Sequence, residues 1–186
     1  MYTMTATRGD QLTDAALDFA TVAHAGQVRK GSGKPYICHP ARVATRIAQV
    51  PGVRPAWIAA AVLHDTIEDC GVTAAQLLEL FGPEVADLVQ ELTNPSKQHP
   101  DLPRAQKKAM DRAHAATMSP AAKMIKMADR TDNLREGTTV MGAEWLEVYI
   151  GESKALAAVL TGVETGLEQE LAGAILAAED SLHATP

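Results

Sequence analysis

Apolar residues recur at helical spacing along most of the chain, and strand-forming residues never cluster. The stretch Thr13–Gly26 predicts a helix with Gly26 just past its end. Residues 27–40, QVRKGSGKPYICHP, carry glycines and prolines that interrupt regularity and predict an ordered loop. Pro40 suits the first position of a helix over 40–50, and Pro55 opens another that runs through LHDTIED, residues 63–69. Thr73 with Gln76 forms a capping-box pattern for a helix that stops at Gly82, and 83–93 predicts the next. The three prolines of NPSKQHPDLP, 94–103, predict a loop. Helices follow over 104–118 and 119–136, the second with Ser119 as N-cap and Pro120 behind it. GTTVMG, 137–142, predicts a break, and two helices fill 143–162 and 163–182. No internal repeat intervenes. The expectation is an all-α, multi-helix single domain spanning residues 1–186.

Composition narrows the class. Ala and Leu, both strong helix formers, are the commonest residues, and 46% hydrophobic against 22% charged residues is the balance of a chain that buries a core. No apolar run is long enough to span a bilayer, and MYTMTATRGD lacks the apolar segment of a signal peptide. Cys38 and Cys70 form no C-x-x-C pair, so free thiols in a reducing cytoplasm are expected. The net charge of −6 is unevenly spread: residues 1–54 hold seven basic and three acidic side chains, residues 136–186 one basic and nine acidic. An acidic tail end argues against nucleic acid and anionic membranes as partners, while the basic first third suits a compact anion.

Against that background RPAWIAAAVLHDTIED, 54–69, stands out, because an apolar helix ends in one histidine and three carboxylates. No lysine or arginine lies between Arg54 and Lys97 to dilute them. On one continuous helix His64 would stack over Glu68, and Asp65 over Asp69. Unpaired buried charge costs several kcal/mol, on the order of 3–5, which a divalent metal would offset. The alternative is a solvated helix C-terminus, where the dipole disfavours acidic side chains. A second polar cluster lies in KMIKMADRTDNLR, 123–135, where Asp129 sits beside an apolar stripe and Asn133 follows it at i+4. Surface pairing of Asp129 with Arg130 or Lys126 is the plain alternative. A third candidate is His39, ahead of Pro40, which taken alone reads as a capping or packing histidine rather than a ligand.

Together HAGQVRKGSGKPYICHP, LHDTIED and KMADRTDNLR resemble, in order and spacing, the hydrolase domain of the RelA/SpoT homologue family. That resemblance covers about residues 17–149, with the C-terminal helices, 143–182, packing on this core. It implies the all-α HD fold and removal of the 3′-pyrophosphate from the guanosine alarmones ppGpp and pppGpp. Because the chain ends where longer members continue into a synthetase domain, it is similar to a small, hydrolase-only type.

Carried over by position, the resemblance implies His39, His64, Asp65 and Asp129 as metal ligands. Mn²⁺ is the implied ion, with Zn²⁺ and Fe²⁺ left open. Glu68 and Asp69 match an acidic pair that could activate the attacking water or protonate the departing ribose 3′-oxygen. Arg29 and Lys30 match a basic pair that meets the nucleotide, and Asn133 and Tyr149 look like further contacts. His24 is expected to hold the HAGQ loop. Where the family often has Leu-His after ADR, this chain has Thr131 and Asp132, and Asp132 adds negative charge near an anion site. Lys97, Arg104, Lys107 and Lys108 could reach the pyrophosphate from a lid-like loop. The partner implied is a small nucleotide. Other substrates are left open, an adenine alarmone or the 2′-phosphate of NADPH, as are a nucleotide sensor without turnover and the oligomeric state, a homodimer included.

Overall fold

The computed structural model of the chain describes residues 8–183, so the segment expected not to be a signal peptide lies largely outside the described residues. Among the described residues there are ten α-helices, one 3-10 turn and no strand, an all-α fold. The chain divides into two compact units, the first from residues 8–27 and 35–93, the second from 28–34 and 94–183.

The first unit is organised by α3, Pro55–Leu63, which packs against α1, Arg8–Ala23, α2, Cys38–Ile47, and α6, Pro83–Leu92. Its sequence PAWIAAAVL is apolar nearly all round, the mark of a helix enclosed by neighbours. Ala59, Ala60 and Ala61 on α3 and Ala16 and Ala20 on α1 are fully buried, and side chains that small let α1 and α3 approach closely. The remaining helices of this unit are α4, Thr66–Cys70, and α5, Ala74–Phe81. On α5 both halves of the expected capping box form, with Thr73 accepting from the Gln76 amide and the Gln76 side chain accepting from the Thr73 amide.

Two expectations change here. The helix predicted to start at Pro40 begins at Cys38, so His39 lies inside its first turn. The helix predicted to run from Pro55 to Asp69 stops at Leu63, and α4 restarts at Thr66.

The second unit holds the 3-10 turn Pro95–Gln98, inside the segment predicted as loop, followed by α7, Arg104–Thr117. Then come α8, Pro120–Val140, α9, Ala143–Ala157, and α10, Thr165–His183. Helix α8 packs on α9 and α10 through a core that includes Ile125, Met127, Leu134, Leu146 and Leu171. Ser119 caps α8 as expected, accepting from the Ala122 amide. The predicted break at Gly137 does not occur. Gly137 is held helical by packing, since a Cβ there would lie 2.7 Å from Cζ3 of Trp145. Its bare backbone is what lets the indole of α9 lie against α8.

That packing sets two opposed outcomes for glycine-to-alanine changes. At exposed Gly151 on α9, where a Cβ meets nothing within 4 Å, alanine should stabilise by about 0.5–1 kcal/mol. At Gly137 the same helix-propensity gain is overridden by the clash with Trp145, and Gly137→Ala should destabilise by about 1–3 kcal/mol. Urea denaturation of the two variants measures both signs.

Candidate metal and nucleotide site

Two side chains bond the last turn of α3 where it breaks before α4. His64 Nδ1 lies 2.8 Å from the Ala61 carbonyl, and the Thr66 hydroxyl donates to the Leu63 carbonyl at 2.7 Å. Both bonds reach back three residues to carbonyls of the last turn of α3 and accompany the break. Asp65, at φ −97° and ψ −4°, turns the chain at the break.

The turn brings together His39 of α2 with His64 and Asp65. One donor atom from each lies within 4.8 Å of the other two, the single such group of ligand-type residues among the described residues. His39 and His64 are buried at 1% and 3% side-chain exposure, and Asp65 is 18% exposed. His64 Nε2 is 3.1 Å and His39 Nε2 3.8 Å from Asp65 Oδ2. Donors each roughly 2.1 Å from one ion stand about this far apart.

The protonation pattern fits a cation. A carbonyl only accepts, so His64 Nδ1 carries a hydrogen towards Ala61, and its Nε2 presents a lone pair to Asp65 when the ring is neutral. Two acceptors 3.1 Å apart need a proton or a metal ion between them. Burial alone would raise the Asp65 pKa. The charge and hydrogen bond of His64, the charge of His39 and the Tyr36 hydroxyl outweigh burial and hold the carboxyl well below the usual range. The carboxylate is therefore ionised and ready as a ligand.

Glu68 and Asp69 follow in α4, half-buried and exposed respectively. The i,i+4 stacking expected on a continuous helix is thus replaced by a restart, and both acids fall in the first turn of the new helix, where the dipole does not oppose them. Tyr36, which sequence reasoning passed over, donates to Asp65 Oδ2 at 2.7 Å. His24 bonds Gln27 at 2.8 Å, the loop-holding part expected of it.

The remaining candidates lie in the second unit. Asp129 on α8 accepts from Asn133 Nδ2 at 2.5 Å and lies 3.9 Å from Lys126 Nζ, the pairing weighed from the sequence. Asn133 Oδ1 in turn accepts from Arg29 at 2.6 Å. Arg29 also donates to Glu136 Oε2 at 2.9 Å, and Glu136 Oε1 accepts from Ser32 at 2.5 Å. Glu136 went unnoticed in the sequence, although it lies three residues past Asn133 on one helix face. Gly31 makes the docking close: at φ 92°, a Cβ would sit 2.7 Å from Val140 Cγ2. Lys30 is exposed.

Tyr149 on α9 is half-buried, its ring stacked on Trp145 at 4.5 Å with the Arg130 guanidinium 4.4 Å from its centroid. Burial, aided by the charges of Asp129 and Glu152 and opposed by Arg130, pushes its phenol up to about 12. Asp132, expected near an anion site, is a buried α8 residue. Of the lid candidates, Arg104 pairs with Glu152 at 2.8 Å and Lys107 bonds the Pro100 carbonyl. Lys108 lies 4.0 Å from Glu152, its pKa lowered by burial and by Arg130.

A histidine–histidine–aspartate cluster on an all-α scaffold defines a metal-dependent phosphohydrolase class. The chain belongs to the HD domain family, whose model matches residues 16–150. It is 35% identical over 167 residues to guanosine-3′,5′-bis(diphosphate) 3′-pyrophosphohydrolase MESH1 of Mus musculus and, equally, to that of Homo sapiens. Each alignment covers 89% of this chain and 90% of the relative. The solved structure of a metazoan SpoT orthologue, described as hydrolysing ppGpp with a role in starvation responses, superposes with a TM-score of 0.82 at 29% identity. That match covers 92% of this chain and 98% of the orthologue.

The raised Tyr149 pKa carries a signed consequence. Its stabilisation is complete below the ordinary phenol value near 10 and is lost as pH rises through about 12. Over that window the native protein should lose on the order of 2 kcal/mol that Tyr149→Phe does not lose, measured by denaturant unfolding across the pH range.

Proposed function

We propose that the protein hydrolyses the 3′-pyrophosphate of guanosine alarmones, converting ppGpp and water to GDP and pyrophosphate. The observation that carries this reading is the buried His39, His64 and Asp65 cluster, supported by similarity over about nine-tenths of chain length to proteins named for that activity. The reading treats residues 1–186 as one HD hydrolase domain and assigns Asp129, from its place in the ADR motif, as the fourth ligand. Manganese is the proposed ion, because two imidazoles and two carboxylates suit a borderline-to-hard divalent cation. The cytoplasm is the proposed compartment, in keeping with two free cysteines.

When bound, such an ion supplies Lewis acidity at the scissile phosphate and lowers the pKa of water. The chain's own groups do the rest. Asp65, its carboxylate accepting from the Tyr36 hydroxyl, contributes negative charge to the cation site. Glu68 and Asp69 on α4 are assigned the proton transfers, accepting from the attacking water and returning a proton to the ribose 3′-oxygen. Arg29, braced by Glu136 and Asn133, offers the flat face of its guanidinium to a base and its charge to phosphate. Lys30, exposed beside it, is assigned to phosphate. Tyr149 already has its ring engaged by Trp145 and Arg130, so contact with the nucleotide falls to its hydroxyl. Asn133 is assigned to the ribose while it links Arg29 to Asp129.

Incubation of purified protein with ppGpp and Mn²⁺ should give GDP and pyrophosphate, resolved by ion-exchange chromatography, and chelation should stop it. A panel including pppGpp, an adenine alarmone and NADPH identifies the preferred phosphorylated nucleoside. Asp65→Ala should lose both metal binding and turnover. Glu68→Gln should keep the metal and lower kcat by about a hundredfold or more. Full activity in Glu68→Gln would remove Glu68 from the proton transfers.

A further inference from the structure

Three motif residues have no part in the chemistry above: His24, Gln27 and Tyr36. The structure interlocks them beside the metal cluster, all within the first unit. The Gln27 carbonyl accepts from the Tyr36 amide at 3.0 Å, and the Gln27 side chain donates to the Asp69 carbonyl at 3.0 Å. Gln27 Oε1 lies 2.8 Å from His24 Nδ1, which fixes the imidazole. The imidazole of His24 stacks on the Tyr36 ring, centroids 4.6 Å apart at 25°. The other side of this arrangement meets the ligands. Tyr36 stands edge-on to His39 at 5.9 Å, His39 stands edge-on to His64 at 5.2 Å, and the Tyr36 carbonyl accepts from the His39 amide at 2.9 Å.

The hydroxyl completes the contact. It lies 2.7 Å from Asp65 Oδ2 and 3.5 Å from Asp69 Oδ2. A phenol has one hydrogen to donate, and 3.5 Å is at the limit of a hydrogen bond, so the proton points at Asp65. Asp65 Oδ2 is also the oxygen that faces both histidines. One side chain therefore touches two of the three clustered ligands and sets the rotation of the carboxylate between them.

We infer that Tyr36 is a positioning residue of the metal site, its hydroxyl fixing the Asp65 carboxylate and its ring, seated on His24, packing against His39. This rests on the reading that the cluster holds a divalent cation. A carboxylate left to rotate must be ordered on each binding event, and partners that hold ligands in this way are worth about 10–100-fold in metal affinity.

Tyr36→Phe keeps the ring and removes only the hydroxyl. Mn²⁺ titration of the metal-free full chain by calorimetry should give at least about tenfold weaker binding in Tyr36→Phe. Its KM for ppGpp at saturating Mn²⁺ should match the unsubstituted protein, and circular dichroism of the metal-free chain should show the same helical fold. Tyr36→Leu, which also loses the stack, should bind more weakly still. Equal Mn²⁺ affinity in Tyr36→Phe and the unsubstituted protein would overturn the inference while leaving the metal reading intact. An unsubstituted protein that binds no Mn²⁺ overturns both. Should Tyr36→Phe fail to fold, the unsubstituted protein labelled at tyrosine Cζ decides the matter. The Tyr36 resonance should shift on adding Zn²⁺, and an unmoved signal counts against the inference.

Discussion

His64 Nε2 and Asp65 Oδ2 face each other across 3.1 Å in a largely buried site, and much of the first unit is arranged around that approach. The Ala61 carbonyl fixes the far side of the imidazole as a donor. The near side can then meet Asp65 favourably only through a positive charge, carried by a proton on the ring or by an ion shared between them. Without such a charge, two lone pairs would oppose each other where water cannot screen them. Adjacent residues of one regular helix point about 100° apart, so the contact also requires the backbone to leave helical geometry at this point. The short break between α3 and α4 accommodates that contact, at the end of a helix enclosed by α1, α2 and α6.

The second unit solves a related problem on α8. Asp129, Asn133 and Glu136 follow at spacings of four and three, which aligns them along one side of the helix. Arg29 and Ser32 bond to that line, so a glycine-rich loop that would otherwise carry large conformational freedom is tied at two side chains. Glycine at 31 admits the Val140 side chain, and glycine at 137 admits Trp145. The glycines that read as breaks in the sequence act here as points of close packing, one in a loop and one inside a helix.

That difference explains what could be read beforehand. Helix starts were legible wherever a side chain caps locally, as Ser119 and Thr73 do, because the signal and its partner lie within a few residues. The ligand-type residues stood out in the sequence chiefly through the resemblance of their motifs in order and spacing; taken alone, His39 read as a capping or packing histidine, and only the acidic end of LHDTIED raised the question of a cation by itself. The end of α3 was hidden, since it goes with side chains bonding carbonyls three residues back, which periodicity does not register. The continuation of α8 through Gly137 was hidden for the opposite reason: the partner that favours glycine there, Trp145, belongs to another helix. Tyr36 and Glu136 were missed because each acts on residues 29 and 107 positions away.

The interlocking of HAGQ with the tyrosine before His39 gives physical content to what otherwise looks like a string of motif letters. In LHDTIED the histidine and aspartate supply lone pairs, and Thr66 bonds across the break. It is fully buried, its hydroxyl takes the Leu63 carbonyl, and its β-branch already weakens helical preference. A valine of the same shape would lose that hydrogen bond. A serine would keep the donor and leave a gap in a closed core. Threonine meets both requirements, so even a residue of the motif without a ligand-type side chain is constrained by the geometry beside His64 and Asp65.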